Sequence, residues 1–195
     1  MRCFILTLFL IALLPIHAQT SEITSHKPIK KILLVVAMES EAQPIIKQLH
    51  LRPLHHSFSN LPMHGYIGKQ GKINILLMQN GQDPVHKVQN IGTEAATLTT
   101  YLGIHYFHPD LVISIGTAGA VVESGATLKD IYFSEKIYFI DRRIPMDGYH
   151  DYGRGVYASM PVPVMNKQLQ FKSGIVCSGD SFDEEKIDYT MYLKE

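Results

Sequence analysis

Apolar residues run almost without interruption through "KILLVVAM" at positions 31–38, a pattern that predicts a strand buried on both faces of a parallel or mixed sheet. "SEAQPIIKQL" follows, with Ser40 and Gln43 at capping-box spacing, Pro44 early enough to be tolerated, and Ile45, Ile46 and Leu49 as the apolar face of a helix. In "MHGYIGKQGKINILLMQN" two strand-like stretches flank Gln70 and Gly71, which predicts a hairpin. Between positions 85 and 102, Val88, Ile91, Ala95, Leu98 and Leu102 recur at steps of three and four, the period of a helix with one buried face. Further strands are predicted at 110–115, 131–140 and 174–178. In the final "DEEKIDYTMYLKE", Asp183, Glu184 and Glu185 favour a helix start, but only Ile187 and Met191 stand at helical spacing. Strands alternating with helices argue for an α/β sandwich.

Composition changes this picture little. The 195 residues, 46% hydrophobic and 18% charged, suit one globular domain with a sizeable core. Eighteen basic and eighteen acidic residues balance to a formal charge of zero, so nothing in the charge favours nucleic acid or an anionic membrane over a small ligand. The start is different: "MRCFILTLFLIALLPIHAQTSE" places Arg2 before an apolar run and His17-Ala18 after it. This is the layout of a secretory signal peptide at 1–18, with an uncleaved anchor as the alternative. A polar linker would occupy 19–30 and the domain 31–195. The expected location is periplasmic or secreted, without stable membrane association once the leader is removed. Cys177 would then be the one remaining cysteine, leaving no internal disulfide.

Three predicted strand ends carry candidate chemistry, where open α/β sheets gather their ligands. Glu39 and Glu41 follow the first strand, "GTAG" at 116–119 follows a central one, and Ser178, Gly179, Asp180, Phe182 and Asp183 follow a third. Glycine lets a ligand approach the backbone closely. Taken alone, such a turn is more often close packing, and an acid at a strand end is usually a solvated cap. The turn lacks both the dinucleotide fingerprint and the P-loop lysine.

In combination, "AMESEA", "NIGTEAATLTTYLGIHYFHPDLVISIGTAGA", "FIDRRIPMDGYHDYGRG" and "SGDSFD" resemble the 5'-methylthioadenosine/S-adenosylhomocysteine nucleosidases of the nucleoside phosphorylase superfamily, in the same order and closest to the plant-type branch. The resemblance implies a three-layer α/β sandwich with a mixed central sheet. It also implies a homodimeric hydrolase that releases adenine from a 5'-thioribose without metal or organic cofactor. Glu41 matches the family's water-activating base, and Ala37 and Met38 line the same site. Thr117, Ala118 and Gly119 match the ligand-contacting turn. Phe182 matches the residue stacked on the purine, with the Asp183 backbone at the adenine edge, and Tyr149 matches an aromatic that covers the partner's 5'-substituent pocket.

The resemblance also implies two later motifs, a Met-Glu pair holding the ribose hydroxyls and a Ser/Thr-Asp whose aspartate protonates adenine. Neither follows "SGDSFD" here, and Glu185 and Asp188 follow no buried strand. The expectation is a fold incomplete at its C-terminus, with apolar surface left uncovered and a weakened or absent activity. Lys129-Asp130 is another departure, standing where relatives usually have Gly-Asp. The alternatives are a non-catalytic nucleoside-binding or storage protein, and a purine nucleoside phosphorylase using Arg142 and Arg143 for phosphate. His55, His56 and His64 lack telling metal-ligand spacing, because adjacent strand residues face opposite ways.

Overall fold

A computed structural model describes residues 28–55, 58, 60–121, 124–142, 144, 146–149, 152–153, 155–162, 168–169 and 171–181. The stretch read as a leader (1–18), the first part of the expected linker (19–27), the final "DEEKIDYTMYLKE" stretch, Arg143, Phe182 and Asp183 lie outside these residues.

The first buried run forms β1 (Lys31–Val36), followed by α1 (Glu39–Gln48), β2 (Arg52–Pro53), β3 (His64–Gln70), β4 (Ile73–Gln79), α2 (Thr93–Phe107) and β5 (Leu111–Ser114). These strands make a mixed sheet in the order β2-β3-β4-β1-β5, with β1 parallel to both β4 and β5 and the β3–β4 hairpin antiparallel. The hairpin turns at Gly71, whose φ of +57° suits glycine. A second ladder, β7-β6-β8, joins β6 (Tyr132–Phe139) to β7 (Val156–Ala158) antiparallel and to β8 (Lys172–Ser178) parallel.

Alternation along β1 and β4 sorts the core into two layers. Leu33, Val35, Leu76 and Met78 face one side with Leu102 and Phe107 of α2. Leu34, Val36, Ile75 and Leu77 face the other with Ala42, Ile45, Ile46 and Leu49. The sheet is therefore covered by a helix on each face, the three-layer arrangement expected of α/β alternation. Full burial of a Leu or Met side chain contributes about 1.5–3 kcal/mol, and Leu33, Leu76, Leu77 and Met78 have no measurable exposure. Val112 on β5 and Ile115 just after it remain exposed.

The register is latched at the start of the strands. Asp110 Oδ2 accepts the Lys30 and Lys31 amides, each at 3.0 Å, while Lys31 Nζ donates to the Phe107 carbonyl at the end of α2. Beyond the latch, Ile32, Leu33, Leu34 and Val35 pair with Leu111, Val112, Ile113 and Ser114.

Two helix expectations are corrected. The segment before α2 is not helical: α2 begins at Thr93, and Val85, Val88 and Ile91 are 78%, 58% and 62% exposed. Asp83 Oδ1 accepts the amides of Val85 and His86 in a local turn, and Lys87 (φ +58°) and Gly92 (φ +98°) hold conformations no helix continues through. Within α2 the buried positions are Thr99, Gly103 and Phe107, so Leu98 points outward. In α1 the N-cap is Met38 and the residue reaching back is Glu41, not the Ser40 and Gln43 pair. Gln43 instead donates to Glu39 at 3.4 Å.

The Lys129 departure has a local cost. Asp130 N–H donates to the Thr127 carbonyl at 3.1 Å, which places Lys129 at the third position of a four-residue turn with φ +75°. Positive φ there favours glycine. Against it, glycine loses more backbone entropy on folding. Lys129→Gly is expected to raise stability by about 0.5–1 kcal/mol, read as a higher midpoint in denaturant unfolding. An unchanged or lower midpoint would contradict the strain. Asp130 holds the same corner with its side chain, accepting Lys172 Nζ at 2.6 Å and the Thr127 amide at 2.7 Å. The Lys172 hydrogen bond, then that of Thr127, holds the Asp130 carboxyl below its ordinary range, and Asp130 in turn raises Lys172.

Candidate active site

Because β4, β1 and β5 run parallel, their carboxyl ends share one rim. Half-buried Ala37 and Met38 lead from β1 into α1, whose third residue is Glu41. Its carboxylate bridges two strand ends. Oε2 accepts the Met38 amide at 3.2 Å, closing the first turn of α1, and Oε1 accepts both the amide and the hydroxyl of Thr117 at 2.7 Å. Thr117 lies in the turn after β5, 76 residues away in the chain. Gly116 lies against this carboxylate, where a Cβ would stand in ordinary contact 3.4 Å from Oε1. A carboxylate offers about four lone-pair sites. Three donors fix the group and leave Oε2 able to accept another, as a base acting on a water requires.

Ala118 and Gly119 continue the turn as exposed residues, and a Cβ added at Gly119 would meet nothing within 4 Å. The small turn therefore does two things: Thr117 holds Glu41, and the residues after it leave an open surface.

The third wall went unread in the sequence. Gln79, buried at the end of β4, donates to Gln89 Oε1 at 3.0 Å, and the same oxygen accepts the Glu39 amide at 3.1 Å. Gln89 thus satisfies an otherwise unpaired donor at the start of α1. Asn80 and Asn90 exchange side-chain to backbone bonds of 3.0 and 3.3 Å. Together these four amides pin the segment before α2 against the helix start that carries Glu41. Two adjacent carboxamides, Gln79 closing a buried strand and Asn80 following it, were the available signal.

The second ladder contributes its own rim residues. Asp141, after β6, accepts the backbone amides of Asp180 and of Ser181, the latter at 3.0 Å. Asp180, after β8, accepts the Thr93 amide and hydroxyl at 2.5 Å each. Thr93's hydroxyl, then its amide, holds the Asp180 carboxyl below its ordinary range. Cys177 on β8 is a free thiol, and burial pushes its pKa up, away from nucleophilic duty.

Tyr149 is exposed and packs edge-on against Tyr152 at 6.0 Å between ring centroids. Its described contacts stay within its own loop. Arg142 stands 4.6 Å from the Tyr152 centroid and 5.6 Å from that of Phe139, and donates to the Tyr157 hydroxyl at 3.1 Å. Such cation–π packing makes it a scaffold for the loop, which gives no support to the phosphate role considered for it. Among the described residues no three of His, Cys, Asp and Glu converge as a metal-ligand set. No helix among them is long and apolar enough to cross a membrane.

Comparison with known proteins identifies the family. The family model described as "Phosphorylase superfamily" matches residues 31–192. The chain is similar to the Arabidopsis thaliana 5'-methylthioadenosine/S-adenosylhomocysteine nucleosidase, 36% identical over 159 residues covering 80% of this chain and 63% of the relative. It is also similar to the Arabidopsis thaliana 5'-methylthioadenosine nucleosidase, 31% identical over 169 residues, covering 86% of this chain and 63% of the relative. The apo structure of Arabidopsis thaliana 5'-methylthioadenosine nucleosidase superposes with a TM-score of 0.82 at 30% identity, over 86% of this chain and 70% of that one. The chain thus spans 63% of the length of these curated relatives. With the family model covering every described strand and the plant enzymes matching in both sequence and fold, the chain belongs to the phosphorylase superfamily and aligns there with the plant-type methylthioadenosine/S-adenosylhomocysteine nucleosidases.

Proposed function

We propose that this protein hydrolyses the N-glycosidic bond of 5'-methylthioadenosine or S-adenosylhomocysteine, releasing adenine, with Glu41 as the base that activates water. The observation that carries the proposal is the bridge from Glu41 to Thr117, which sets a fixed carboxylate beside an open turn at the rim of the sheet. The names of the plant relatives supply the substrate class.

In such a reaction water attacks the anomeric carbon from the face opposite the departing base, through an oxocarbenium-like transition state. Glu41 takes the proton of that water, while Thr117 and the Met38 amide keep its carboxylate from turning away. Thr117 to Gly119 offer the surface for the nucleoside, and Ala37 and Met38 flank it. Phe182 and Asp183 are proposed for the purine by their place in "SGDSFD". No described residue is assigned to protonate the adenine.

The test incubates the chain with methylthioadenosine in the presence and absence of phosphate, following adenine by chromatography and binding by calorimetry. Adenine release independent of phosphate is expected. Release that requires phosphate would make the protein a phosphorylase, and binding without release would make it a nucleoside-binding protein.

A homodimer is proposed with it. α2 turns Leu98, Tyr101 and Ile104 outward, and Val88 and Ile91 before it are exposed as well, apolar surface of the kind that marks an interface. Tyr149 is proposed to reach the partner's 5'-substituent pocket. Sedimentation should show a dimer for the parent chain and a monomer for Leu98→Glu/Tyr101→Glu, and a monomeric parent would contradict this reading. The leader is proposed to direct export, which N-terminal sequencing of secreted product checks.

A further inference from the structure

The strand-end loops of the two ladders are joined by a chain of carboxylates and backbone amides that the reaction itself does not use. Asp141 receives the amides of Asp180 and Ser181, and Asp180 passes the connection on to the first turn of α2 through both donors of Thr93. The chain crosses 39 residues at its first link and 87 at its second. Two glycines give it room: a Cβ on Gly179 would lie 2.7 Å from Asp141 Oδ2, and one on Gly92 would lie 3.0 Å from Asp180 Oδ1. The acceptor is also the right sign for its place, since a helix N-terminus presents unpaired amides and partial positive charge.

We infer that Asp180 is a positioning residue: it clamps the loop after β8 onto the start of α2, and so fixes the point from which the chain continues to Phe182 and Asp183. The inference rests on the proposed function, because only then do those next two residues meet a purine. It gives three motifs one purpose, since Gly92-Thr93, Asp141 and Gly179-Asp180 are parts of a single tether. Its energetic logic is that of preorganisation. A nucleoside entering a site whose loop is already anchored does not spend binding energy on ordering it.

The experiment compares the parent chain with Asp180→Ala, Asp180→Asn, Thr93→Val and Thr93→Ser. Each is measured by amide hydrogen exchange, by calorimetric binding of methylthioadenosine, and by single-turnover release of adenine. For Asp180→Ala, exchange at positions 180–181 and 93–96 should quicken at least tenfold. Kd for methylthioadenosine should rise at least tenfold, while the rate constant of the bound nucleoside changes less than threefold. Asp180→Asn, which keeps one acceptor, should fall between, and so should Thr93→Val, which keeps the amide. Thr93→Ser keeps both donors and should stay within twofold of the parent Kd. The double variant Asp180→Ala/Thr93→Val should bind no worse than Asp180→Ala alone.

Unchanged exchange in Asp180→Ala would overturn the clamp, and faster exchange with an unchanged Kd would overturn its role in positioning. If Asp180→Ala does not fold, Asp180→Asn and Thr93→Val carry the same comparison. A parent chain that binds no methylthioadenosine would remove the proposed function instead. The clamp would then be judged by exchange alone, supported by faster exchange at both ends and overturned by none.

Discussion

Glu41→Gln should lower single-turnover adenine release by about a hundred- to ten-thousand-fold, or about 2.7–5.4 kcal/mol of transition-state stabilisation, while leaving the affinity for methylthioadenosine within a few-fold. The substitution preserves the side chain's shape, and a glutamine oxygen can still accept the amide and hydroxyl of Thr117. What it removes is the second acceptor. The glutamine NH2 would face the Met38 amide, donor against donor, where Oε2 now accepts at 3.2 Å. That end of the capping box is expected to cost about 0.5–1 kcal/mol of stability, too little to unfold a domain. Rate and stability therefore separate. Glu41→Asp tests the same point from the other side: the charge remains, but the shorter side chain withdraws from Thr117. Its release rate should fall between those of the parent and the glutamine variant. If Glu41→Gln releases adenine at the parent rate, Glu41 is not the base.

Gly81→Ala should be the most destabilising small substitution among the described glycines, by about 3–5 kcal/mol. Two independent causes meet at this position. Its φ of +79° strains any L-residue by about 1–2 kcal/mol. A Cβ would also lie 1.7 Å from the Pro62 carbonyl oxygen and 2.5 Å from its carbon, so backbone must move. Gly71→Ala isolates the first cause, because Gly71 has φ +57° and nothing within 4 Å of an added Cβ. About 1 kcal/mol is expected there, a melting temperature lower by roughly 2–4 °C at this size. The excess at Gly81, read in the same denaturant series, measures the clash. Equal losses at the two glycines would mean that Pro62 yields freely. Because Gly81 directly follows Gln79 and Asn80, displacement there should also disturb the amides that brace α1.

Hydrophobic patterning made the layered core readable. The uninterrupted run at 31–38 and the hairpin around Gly71 are statements about burial and turn geometry, and both survive in β1, β3 and β4. The same signal failed before α2, where Val88 and Ile91 keep helical spacing across residues whose backbone is not helical. Spacing carries no record of positive φ at a lysine. At the rim, Glu41 and the turn at Thr117 were legible as residue types at strand ends, but their mutual contact depends on a sheet order that places β5 beside β1. Gln89 and Asp180 act through backbone amides far away in the chain, and nothing local to either residue announces the partner. Arg142 shows the converse: a charge in a conspicuous loop, occupied by aromatic rings.

The Asp110 latch and the pairing of Val35 with Ser114 have a consequence for how the interior of this protein can vary. Strands advance about 3.3 Å per residue, so sliding β5 along β1 by one pleat repeat would carry Thr117 roughly 6.6 Å away, out of reach of Glu41. A slip of two residues would keep each β5 side chain on its own face of the sheet while parting Glu41 from Thr117. The gearing of two neighbouring strands thus sets the spacing of the rim on which the proposed chemistry depends.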